Sequence, residues 1–249
     1  MSTIPDDLLE HLHTASHVVV LTGAGISAES GIPTFRDPDG LWETFEPQEL
    51  ANVEAFLDNP ERVQGWYRHR RQVVTEAEPN AAHRALADLE ALVPTVTVIT
   101  QNVDDLHNRA GSTTVWELHG NITRNYCIDC EKEASPERVN AAIEQGEPAA
   151  CTACGGLIRP DVVWFGEMLP PNVLQQASQA ADSADVFLSI GTSAVVHPAA
   201  RLPLQARDAG AFVAEINLES TPVTSIADAV LQGPAGTHVP ALVEALREE

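Results

Sequence analysis

The chain has 249 residues, an apolar content of 44%, and 36 acidic against 14 basic residues, which give a net charge of −22. Phosphate backbones are bound by clustered Lys and Arg, so direct nucleic-acid binding is not expected. No apolar run is long enough to cross a membrane and the first residues do not resemble a signal peptide, which predicts a cytoplasmic protein with no membrane partner. Because the acidic residues are spread along the whole chain, we interpret the charge as adaptation to high salt.

The first apolar run, at residues 17–21, is followed by a glycine-rich stretch. Gly23-x-Gly25-x-x-Ala28 fits the dinucleotide-binding fingerprint, in which small residues allow a tight turn and let backbone N–H groups approach a pyrophosphate. By itself this signal is weak, because Gly-x-Gly after a strand is often only a turn.

Six short apolar runs predict strands, at 18–21, 96–100, 115–118, 186–190, 212–216 and 229–231. Segments with helical spacing alternate with them, at 5–15, 81–92, 170–181, 198–208 and 239–247. This alternation predicts an α/β fold with a Rossmann-like parallel sheet and helices on both faces. Each strand ends in Gly or in small polar residues, and ligands bind at the carboxyl ends of strands in such sheets. The sequence therefore predicts a ligand cleft along one sheet edge.

Two inserts interrupt the alternation, and they predict a small second domain. Residues 40–79 form a helical insert, and residues 121–167 form an insert that contains all the cysteines; residues 1–39, 80–120 and 168–249 make up the Rossmann-like domain. In a dehydrogenase, an acidic residue about 20 residues after the glycines binds the ribose. Because the first insert separates the first two strands, this residue has no obvious counterpart here. This departure counts against an ordinary hydride-transfer enzyme.

The four cysteines have the spacing of a metal site. Cys127-x2-Cys130 and Cys151-x2-Cys154 form two knuckles separated by 20 residues, which is typical of a tetrahedral four-thiolate zinc site. Four thiolates close the coordination shell, so the pattern predicts one structural Zn²⁺. Disulfides are the weaker interpretation in a chain without an export signal. A nucleic-acid-binding zinc ribbon is poorly supported, because only two basic residues lie between the knuckles.

Several motifs, taken together and in order, resemble the sirtuin family of NAD-dependent protein lysine deacylases. Besides the cysteines they are GAGIS at 23–27, GIPTFRD at 31–37, TQNVD at 100–104, HG at 119–120, GTS at 191–193 and Asn217. The resemblance covers nearly the whole chain. It implies that NAD is consumed as a co-substrate, and that it meets acyl-lysine proteins or peptides between a large Rossmann-fold domain and a small zinc-binding and helical domain.

The resemblance also assigns ligand-binding residues by position. Those placed around NAD are Gly23, Ala24, Gly25, Ser27, Phe35, Arg36, Gln101, Asn102, Asp104, Gly191, Thr192, Ser193, Asn217 and Ala235. Among them, Phe35 and Arg36 belong to a mobile loop, and the last five match the adenosine side. Residues 163–167 resemble a strand that pairs with the substrate backbone, with Val163, Phe165, Gly166 and Glu167 in contact; such strand addition reads mainly the main chain.

His119 is the candidate general base, with Asn102 as a second catalytic residue. It follows a predicted strand at the ligand edge, and an imidazole titrates near neutrality. In the mechanism implied by the resemblance, nicotinamide leaves, the histidine deprotonates a ribose hydroxyl, and the products are free lysine and O-acyl-ADP-ribose. Protein ADP-ribosyl transfer is the alternative. A decayed, NAD-sensing protein is less consistent with the presence of His119, Asn102 and Asp104, and a zinc-containing dehydrogenase is least expected.

Tyr67 and Arg70 lie in a basic island of the helical insert. At i and i+3 they share one face of a helix, and a phenol beside a guanidinium is a good receptor for a carboxylate. The structural alternative is an ion pair of Arg70 with Glu54 or Glu61. Tyr-x-x-Arg at this place resembles the sirtuin class that removes succinyl and malonyl groups, so we predict a preference for acidic acyl-lysines with deacetylation retained.

Overall fold

The computed structural model describes residues 4–34 and 50–248, and all structural statements concern this part of the chain. Its strands are β1 (His17–Thr22), β2 (Thr95–Thr100), β3 (Val115–Glu117), β4 (Gly120–Cys127), β5 (Ile158–Val162), β6 (Val186–Ile190), β7 (Phe212–Asn217) and β8 (Ala229–Gln232). Its α-helices are α1 (Asp6–Thr14), α2 (Ala24–Ser27), α3 (Val53–Asp58), α4 (Pro60–Glu76), α5 (Ala81–Leu89), α6 (Leu106–Ala110), α7 (Pro136–Glu144), α8 (Pro171–Asp182), α9 (Leu202–Asp208) and α10 (Ala235–Glu248). None of these helices is long and apolar enough to span a membrane.

Six strands form one parallel sheet in the order β3-β2-β1-β6-β7-β8, which confirms the predicted Rossmann-like architecture. The chain builds the sheet outward from β1 in one direction and from β6 in the other. The connections therefore reverse between β1 and β6, and ligands bind at such a switch point in open α/β sheets. The turns that follow β1 and β6 lie side by side at this point.

Helices cover both faces of the sheet, as predicted. Side chains of a strand alternate between its two faces, so Val18 and Val20 belong to one buried cluster and Val19 and Leu21 to the other. The first cluster packs against α1, α5 and α10, and the second packs against α8 and α9. With both faces covered, β1 is buried from residue 18 onwards, which explains its uninterrupted apolar sequence.

Helix ends differ from the predicted bounds at several places. The helix expected at 81–92 ends at Leu89 and continues as turns, and the one expected at 198–208 begins as a 3-10 turn at Ala199–Arg201. The last helix begins at Ala235, four residues before its predicted start, so Pro240 lies inside the helix and not in its first turn. This earlier start brings the N-terminus of α10 to the ligand edge of the sheet.

The strands β4 and β5 pair antiparallel as a separate two-stranded sheet. It packs against α4 through a cluster that includes Phe56, Tyr67, Ile122 and Trp164, and a smaller cluster lies under the cysteines. The second sheet therefore joins the region of the helical insert to the region of the cysteine-containing insert. The exact domain bounds predicted from the sequence remain a prediction.

The strand expected at residues 163–167 is not formed. β5 ends at Val162, and the following N–H groups bond to other segments: Val163 donates to the His119 carbonyl at 3.0 Å, and Phe165 donates to the Ala51 carbonyl at 2.9 Å. Because these acceptors belong to two different parts of the chain, no ladder extends along the segment. Residues 163–167 are an irregular loop beside His119.

Candidate active site and metal centre

The glycines after β1 and β6 allow their two turns to touch. The Gly25 N–H donates to the Gly191 carbonyl at 2.8 Å, and a Cβ on Gly25 would lie 2.8 Å from the same oxygen. Gly191 has a φ of +58°, and a Cβ there would lie 2.4 Å from the Ile26 nitrogen. The Gly23 N–H is also used internally, by the Ile190 carbonyl at 3.2 Å. These glycines are therefore required in part for packing between the two turns, and not only for close approach to a phosphate.

Ser27, Asn102 and Asp104 form a buried polar cluster beside this turn. The Ser27 hydroxyl donates to Asp104 Oδ2 at 2.7 Å, and Asn102 Nδ2 contacts both Ser27 Oγ and the Gly23 carbonyl at 3.1 Å. Burial raises the pKa of Asp104, while its hydrogen bonds from Ser27 and from the Leu106 N–H act in the opposite direction. Sequence segments from two different strand ends are thus joined into one hydrogen-bonded unit.

Gln101 and Asn217 connect the end of β2 to two further strand ends, those of β6 and β7. Gln101 Nε2 donates to Thr192 Oγ1 at 2.8 Å, and Asn217 Nδ2 donates to the Thr192 carbonyl at 2.9 Å. These residues follow or end β2, β6 and β7, so three of the six strand ends predicted to converge are joined by these bonds. Ser193 follows Thr192 in the same turn, and Ala24 begins the short helix α2.

His119 lies between β3 and β4, and its ring orientation is fixed by a backbone carbonyl. His119 Nδ1 is 2.8 Å from the Gln101 carbonyl oxygen. A carbonyl only accepts, so Nδ1 carries the proton and Nε2 keeps a lone pair. Burial lowers the pKa of His119, and the bond to Gln101 offsets only part of that shift. The imidazole is therefore neutral at pH 7, which is the form that a general base requires.

A cavity of about 330 Å³ opens beside the glycine turn. Its lining includes Gly191, Asn217 and Ala235, which were predicted for the adenosine side, whereas Thr192 and Ser193 lie outside it. Phe35 and Arg36, predicted for a loop over the cofactor, fall outside the described residues.

Asn80 is a site-supporting residue that the sequence reasoning missed. Its Nδ2 donates to the Ile26 carbonyl at 2.7 Å and to Ser30 Oγ at 3.0 Å, while its Oδ1 accepts from the Ala82 N–H at 2.9 Å. Asn80 thus caps α5 and fixes the segment after the glycine turn. Asn directly before a predicted helix is a recognisable N-cap signal, but its second contact is not encoded locally.

Two buried histidines under the cleft were also missed. His107 Nε2 lies 2.9 Å from Thr22 Oγ1, and the rings of His83 and His107 are 4.8 Å apart. Burial lowers the pKa of His83 to about 4 and that of His107 to about 3. Both rings are neutral, and His107 contacts the end of β1 at Thr22. Only their partners in the folded chain distinguish them from surface histidines.

Tyr67 and Arg70 share a face of α4, as the i, i+3 spacing predicted. The Tyr67 hydroxyl accepts a hydrogen bond from Trp164 Nε1 at 2.8 Å, and the Arg70 guanidinium lies 4.7 Å from the Trp66 ring centroid and 5.7 Å from that of Tyr67. Burial raises the pKa of Tyr67, partly opposed by the charge of Arg70, and burial lowers the pKa of Arg70.

Glu167 is held by the protein itself. Its carboxylate oxygens lie 2.6 and 2.8 Å from the Arg159 guanidinium, and one of them accepts from the Trp164 N–H at 2.8 Å. Burial tends to raise the pKa of Glu167, but the bonds from Arg159 and Trp164 outweigh it and the pKa is lowered. Phe165 is half exposed, and with Gly166 and Glu167 it lines a cavity of about 630 Å³ against α3.

The four cysteines converge as the spacing predicted, with all four Sγ atoms within 4.8 Å of one another. Cys127 Sγ lies 3.4 Å from Cys154 Sγ, and Cys130 Sγ lies 3.7 Å from Cys151 Sγ. A tetrahedron with Zn–S bonds of about 2.3 Å has edges of about 3.8 Å, so the thiol set fits one zinc ion. The N–H groups that follow Cys151 and Cys154 point back to their sulfurs, at 3.3 and 3.5 Å.

The Sir2 family model matches residues 23–198. The chain belongs to the Sir2 family. It is 51% identical to "NAD-dependent protein deacylase 2" of Pyrobaculum aerophilum over 95% of this chain and 93% of that protein, and 49% identical to "NAD-dependent protein deacylase 1" of Archaeoglobus fulgidus over 98% of both.

Solved Sir2 structures share the whole fold. A Sir2 homologue in complex with ADP ribose superposes with a TM-score of 0.92 at 47% identity, covering 98% of this chain and 97% of that one. A Sir2 structure with a p53 peptide and NAD⁺ has a TM-score of 0.89 at 37% identity, covering 98% of both chains. A further Sir2 structure holds a deacetylated p53 peptide and 3′-O-acetyl ADP ribose, with a TM-score of 0.88 at 37% identity over 98% of this chain and 97% of that one.

Proposed function

We propose that this Sir2-family protein is an NAD-dependent protein lysine deacylase, with acyl-lysine proteins or peptides as substrates. The observation that carries the proposal is the neutral imidazole of His119, whose Nδ1 proton is held by the Gln101 carbonyl at the ligand edge of the sheet. NAD supplies the ADP-ribose that accepts the acyl group, with nicotinamide as the leaving group. Protein ADP-ribosyl transfer is not favoured, because the curated relatives are named deacylases and a solved relative holds an acetylated ADP-ribose.

Each part of the cleft has a separate task in this proposal. The Nε2 atom of His119 accepts a proton from a ribose hydroxyl. The buried cluster of Ser27, Asn102 and Asp104 orients the ribose and the nicotinamide amide, and its mutual bonds keep these groups in place. The turn at residues 23–25 lies against the phosphates.

Residues 163–167 complete the substrate side. We propose that an acyl-lysine peptide runs along this loop, with Val163, Phe165 and Gly166 nearest to it. The Arg159–Glu167 pair supports the loop, since the guanidinium lies 3.7 Å from the Trp164 ring centroid while it holds the carboxylate. The four cysteines hold one structural Zn²⁺ at the other end of the β4–β5 sheet, where Cys127 pairs with Ile158. Reduced, metal-binding cysteines are typical of a cytoplasmic protein, which is our proposed location.

The reaction is tested by mass spectrometry with NAD and an acetyl-lysine peptide. We expect free lysine peptide, nicotinamide and O-acetyl-ADP-ribose in equal amounts. With radiolabelled NAD, label should stay in the small-molecule fraction. Label that accumulates on protein without O-acetyl-ADP-ribose would support ADP-ribosyl transfer and overturn the proposal.

We further propose that Tyr67 and Arg70 recognise a carboxylate at the end of the acyl group. The Tyr67 oxygen already accepts from Trp164, so its own hydroxyl proton is available to a ligand. A carboxylate would bind the planar fork of the Arg70 guanidinium. Succinyl- and malonyl-lysine have this carboxylate, whereas acetyl-lysine does not.

Changing Arg70 to Met tests this specificity. A hydrogen bond to a charged group contributes about 1.5–3 kcal/mol, so kcat/KM for a succinyl-lysine peptide should fall roughly 10- to 100-fold, with a much smaller change for the acetyl form of the same peptide. Arg68→Met is the control, because Arg68 is on the same helix but pairs with Glu144 at 2.5 Å in a partly exposed ion pair. Equal losses for both acyl groups would refute the pocket.

The excess of acidic residues supports a proposal of adaptation to high salt. Salt screens repulsion between surface charges, and a protein with a net charge of −22 gains from this screening. The free energy of unfolding and the deacylase rate, measured from low to multimolar KCl, should both rise with salt. An optimum at low salt would show that the charge has another origin.

A further inference from the structure

His119 lies in the turn that joins the two sheets. β3 of the six-stranded sheet ends at Glu117, and β4 of the two-stranded sheet begins at Gly120. Gly120 has a φ of +79°, and a Cβ there would lie 2.2 Å from the Asp161 carbonyl oxygen, so the chain turns sharply at this point. The candidate base is therefore carried by a short connection between two separate sheets, and its position depends on what fixes that connection.

The Asn121 side chain closes this turn on both sides of His119. Its Nδ2 donates to Glu117 Oε1 at 2.7 Å, so the side chains that flank the Leu-His-Gly segment are bonded to each other. Its Oδ1 accepts from the Thr123 N–H at 3.0 Å and from the Thr123 hydroxyl at 2.6 Å. Asn121 is only 1% exposed. Both polar atoms of this buried amide have partners, which fixes its orientation.

The same nitrogen reaches the loop that carries part of the ribose cluster. Asn121 Nδ2 also donates to Asp105 Oδ1 at 2.9 Å. Asp105 follows Asp104, whose carboxylate accepts from Ser27, and it has a left-handed φ of +63°. A non-glycine residue keeps such a conformation where surrounding contacts fix it. One buried side chain therefore ties the turn of His119 to the segment that holds Asp104.

Position 121 requires a neutral donor, because it lies between two carboxylates. Asp105 and Glu117 both accept from this Nδ2, and both also accept from Asn108 Nδ2, at 2.9 and 3.0 Å. Like charges this close repel one another unless donors lie between them. Arg124 compensates Glu117 from the outside, with its guanidinium 2.7 Å from Oε2, but it is half exposed. Of the two amides that bridge the carboxylates, Asn121 is buried and Asn108 is exposed.

We propose that Asn121 is a positioning residue for the reaction: it holds the turn of His119 against the segment that carries Asp104. This inference rests on the proposed function, because it takes His119 as the general base. Without the amide donor, Asp105 and Glu117 would face each other and the turn would move away from the ribose cluster. A displacement of about 1 Å at a catalytic group lowers the rate by up to about 10²-fold.

The test compares the wild type with Asn121→Asp and Asn121→Ala. Asn121→Asp keeps the shape of the side chain but replaces the donor with a third carboxylate. With NAD and one acyl-lysine peptide, kcat should fall at least about 10-fold in both variants, and further in Asn121→Asp. The described lining of the cavity beside the glycine turn contains none of these residues, so the dissociation constant of ADP-ribose should stay within about threefold.

Asn108→Ala is the matched control. It removes an exposed amide that bonds to the same two carboxylates but lies on α6, outside the segment that carries His119. Its kcat should stay within about twofold of the wild type, as expected for a surface change. Equal losses of kcat in Asn108→Ala and Asn121→Ala would contradict a specific role of Asn121.

An exchange of donor and acceptor separates positioning from general damage. In Asn121→Asp/Glu117→Gln, the amide at position 117 donates to the carboxylate at position 121. The bond across His119 is then restored with the opposite polarity, and the net charge returns to that of the wild type. We expect kcat to recover at least about fivefold relative to Asn121→Asp, as for a directly coupled pair. No recovery, or kcat within about twofold of the wild type in both single variants, would overturn the inference.

A spectroscopic measurement tests Asn121 independently of turnover. The Gln101 carbonyl holds the Nδ1 proton of His119, so the wild type should give an imidazole N–H signal in proton–nitrogen NMR, assigned with His119→Ala. This signal should be lost to solvent exchange in Asn121→Asp and return in the double variant. An unchanged signal in Asn121→Asp would refute the positioning role. Absence of O-acyl-ADP-ribose from the wild type would overturn the function alone, and the NMR signal would still decide the role of Asn121.

Discussion

The strand-end cleft and the four-cysteine region are organised in opposite ways. In the cleft, polar side chains bond to one another, as Ser27 does to Asp104 and Gln101 to Thr192. In the cysteine region, the functional atoms are four sulfurs that approach within 4.8 Å, with backbone N–H groups around them. The cleft is therefore preorganised by the protein, whereas the cysteine region needs a cation to hold four thiolates together.

The hydrophobic cores of the two regions also differ in size. Two large clusters bury both faces of the six-stranded sheet, but the cluster under the cysteines contains only Val139, Ala149, Ile158 and two of the ligands as fully buried members. So small a core cannot offset the conformational entropy of its segment. We therefore expect the catalytic edge to lose activity, and the cysteine region to lose its structure, for different physical reasons. Three experiments can separate them.

Loss of zinc should have the largest effect. Structural zinc contributes on the order of 10 kcal/mol to small modules, so chelation or Cys151→Ser should abolish zinc binding and expose β4, β5 and α7. Hydrogen exchange should show lost protection there, while β1 and β6 stay protected. Thr152→Ala, an exposed change between two ligands, is the control. A zinc-free protein with β4 and β5 still protected would contradict the contrast between the regions.

Loss of the base should remove activity without loss of structure. His119→Ala should reduce kcat by at least about 10²-fold, as expected for a general base, with zinc content and stability retained. Wild-type kcat/KM should fall with decreasing pH only through a pKa below the ordinary 6.5, because burial lowers the pKa of His119 and protonation removes its lone pair. This acid limb should vanish in the variant. His13→Ala, at an exposed histidine, is the control, and near-wild-type turnover of His119→Ala would exclude the assignment.

The smallest effect should come from paired glycine substitutions. Gly25→Ala forces a Cβ against the Gly191 carbonyl, so the free energy of unfolding should fall by about 1–3 kcal/mol and ADP-ribose should bind more weakly. Gly65→Ala is the matched control inside α4, where a Cβ meets nothing within 4 Å, and it should stabilise by roughly 0.5–1 kcal/mol. Chemical denaturation measures both. Equal effects would show that the contact between the two turns carries no stability.

The elements of the fold could be predicted where their signals are local. The buried run at 18–21 and its glycine turn identified β1, and the paired spacing of the cysteines identified the metal site. The segment at 163–167 could not be predicted in this way. The family resemblance implied a strand there, but Val163 and Phe165 donate to His119 and Ala51, and those acceptors are brought there only by the folded chain.

The sequence by itself determined the strands, the polar residues at their ends, the zinc ligands and the candidate base, because periodicity and short spacings are properties of neighbouring residues. Only the tertiary structure decided that the turns after β1 and β6 touch through their glycines, that Trp164 holds the Tyr67 hydroxyl, and that Glu29 caps α10. These contacts join segments that are distant along the chain, and their partners are set by strand order and packing.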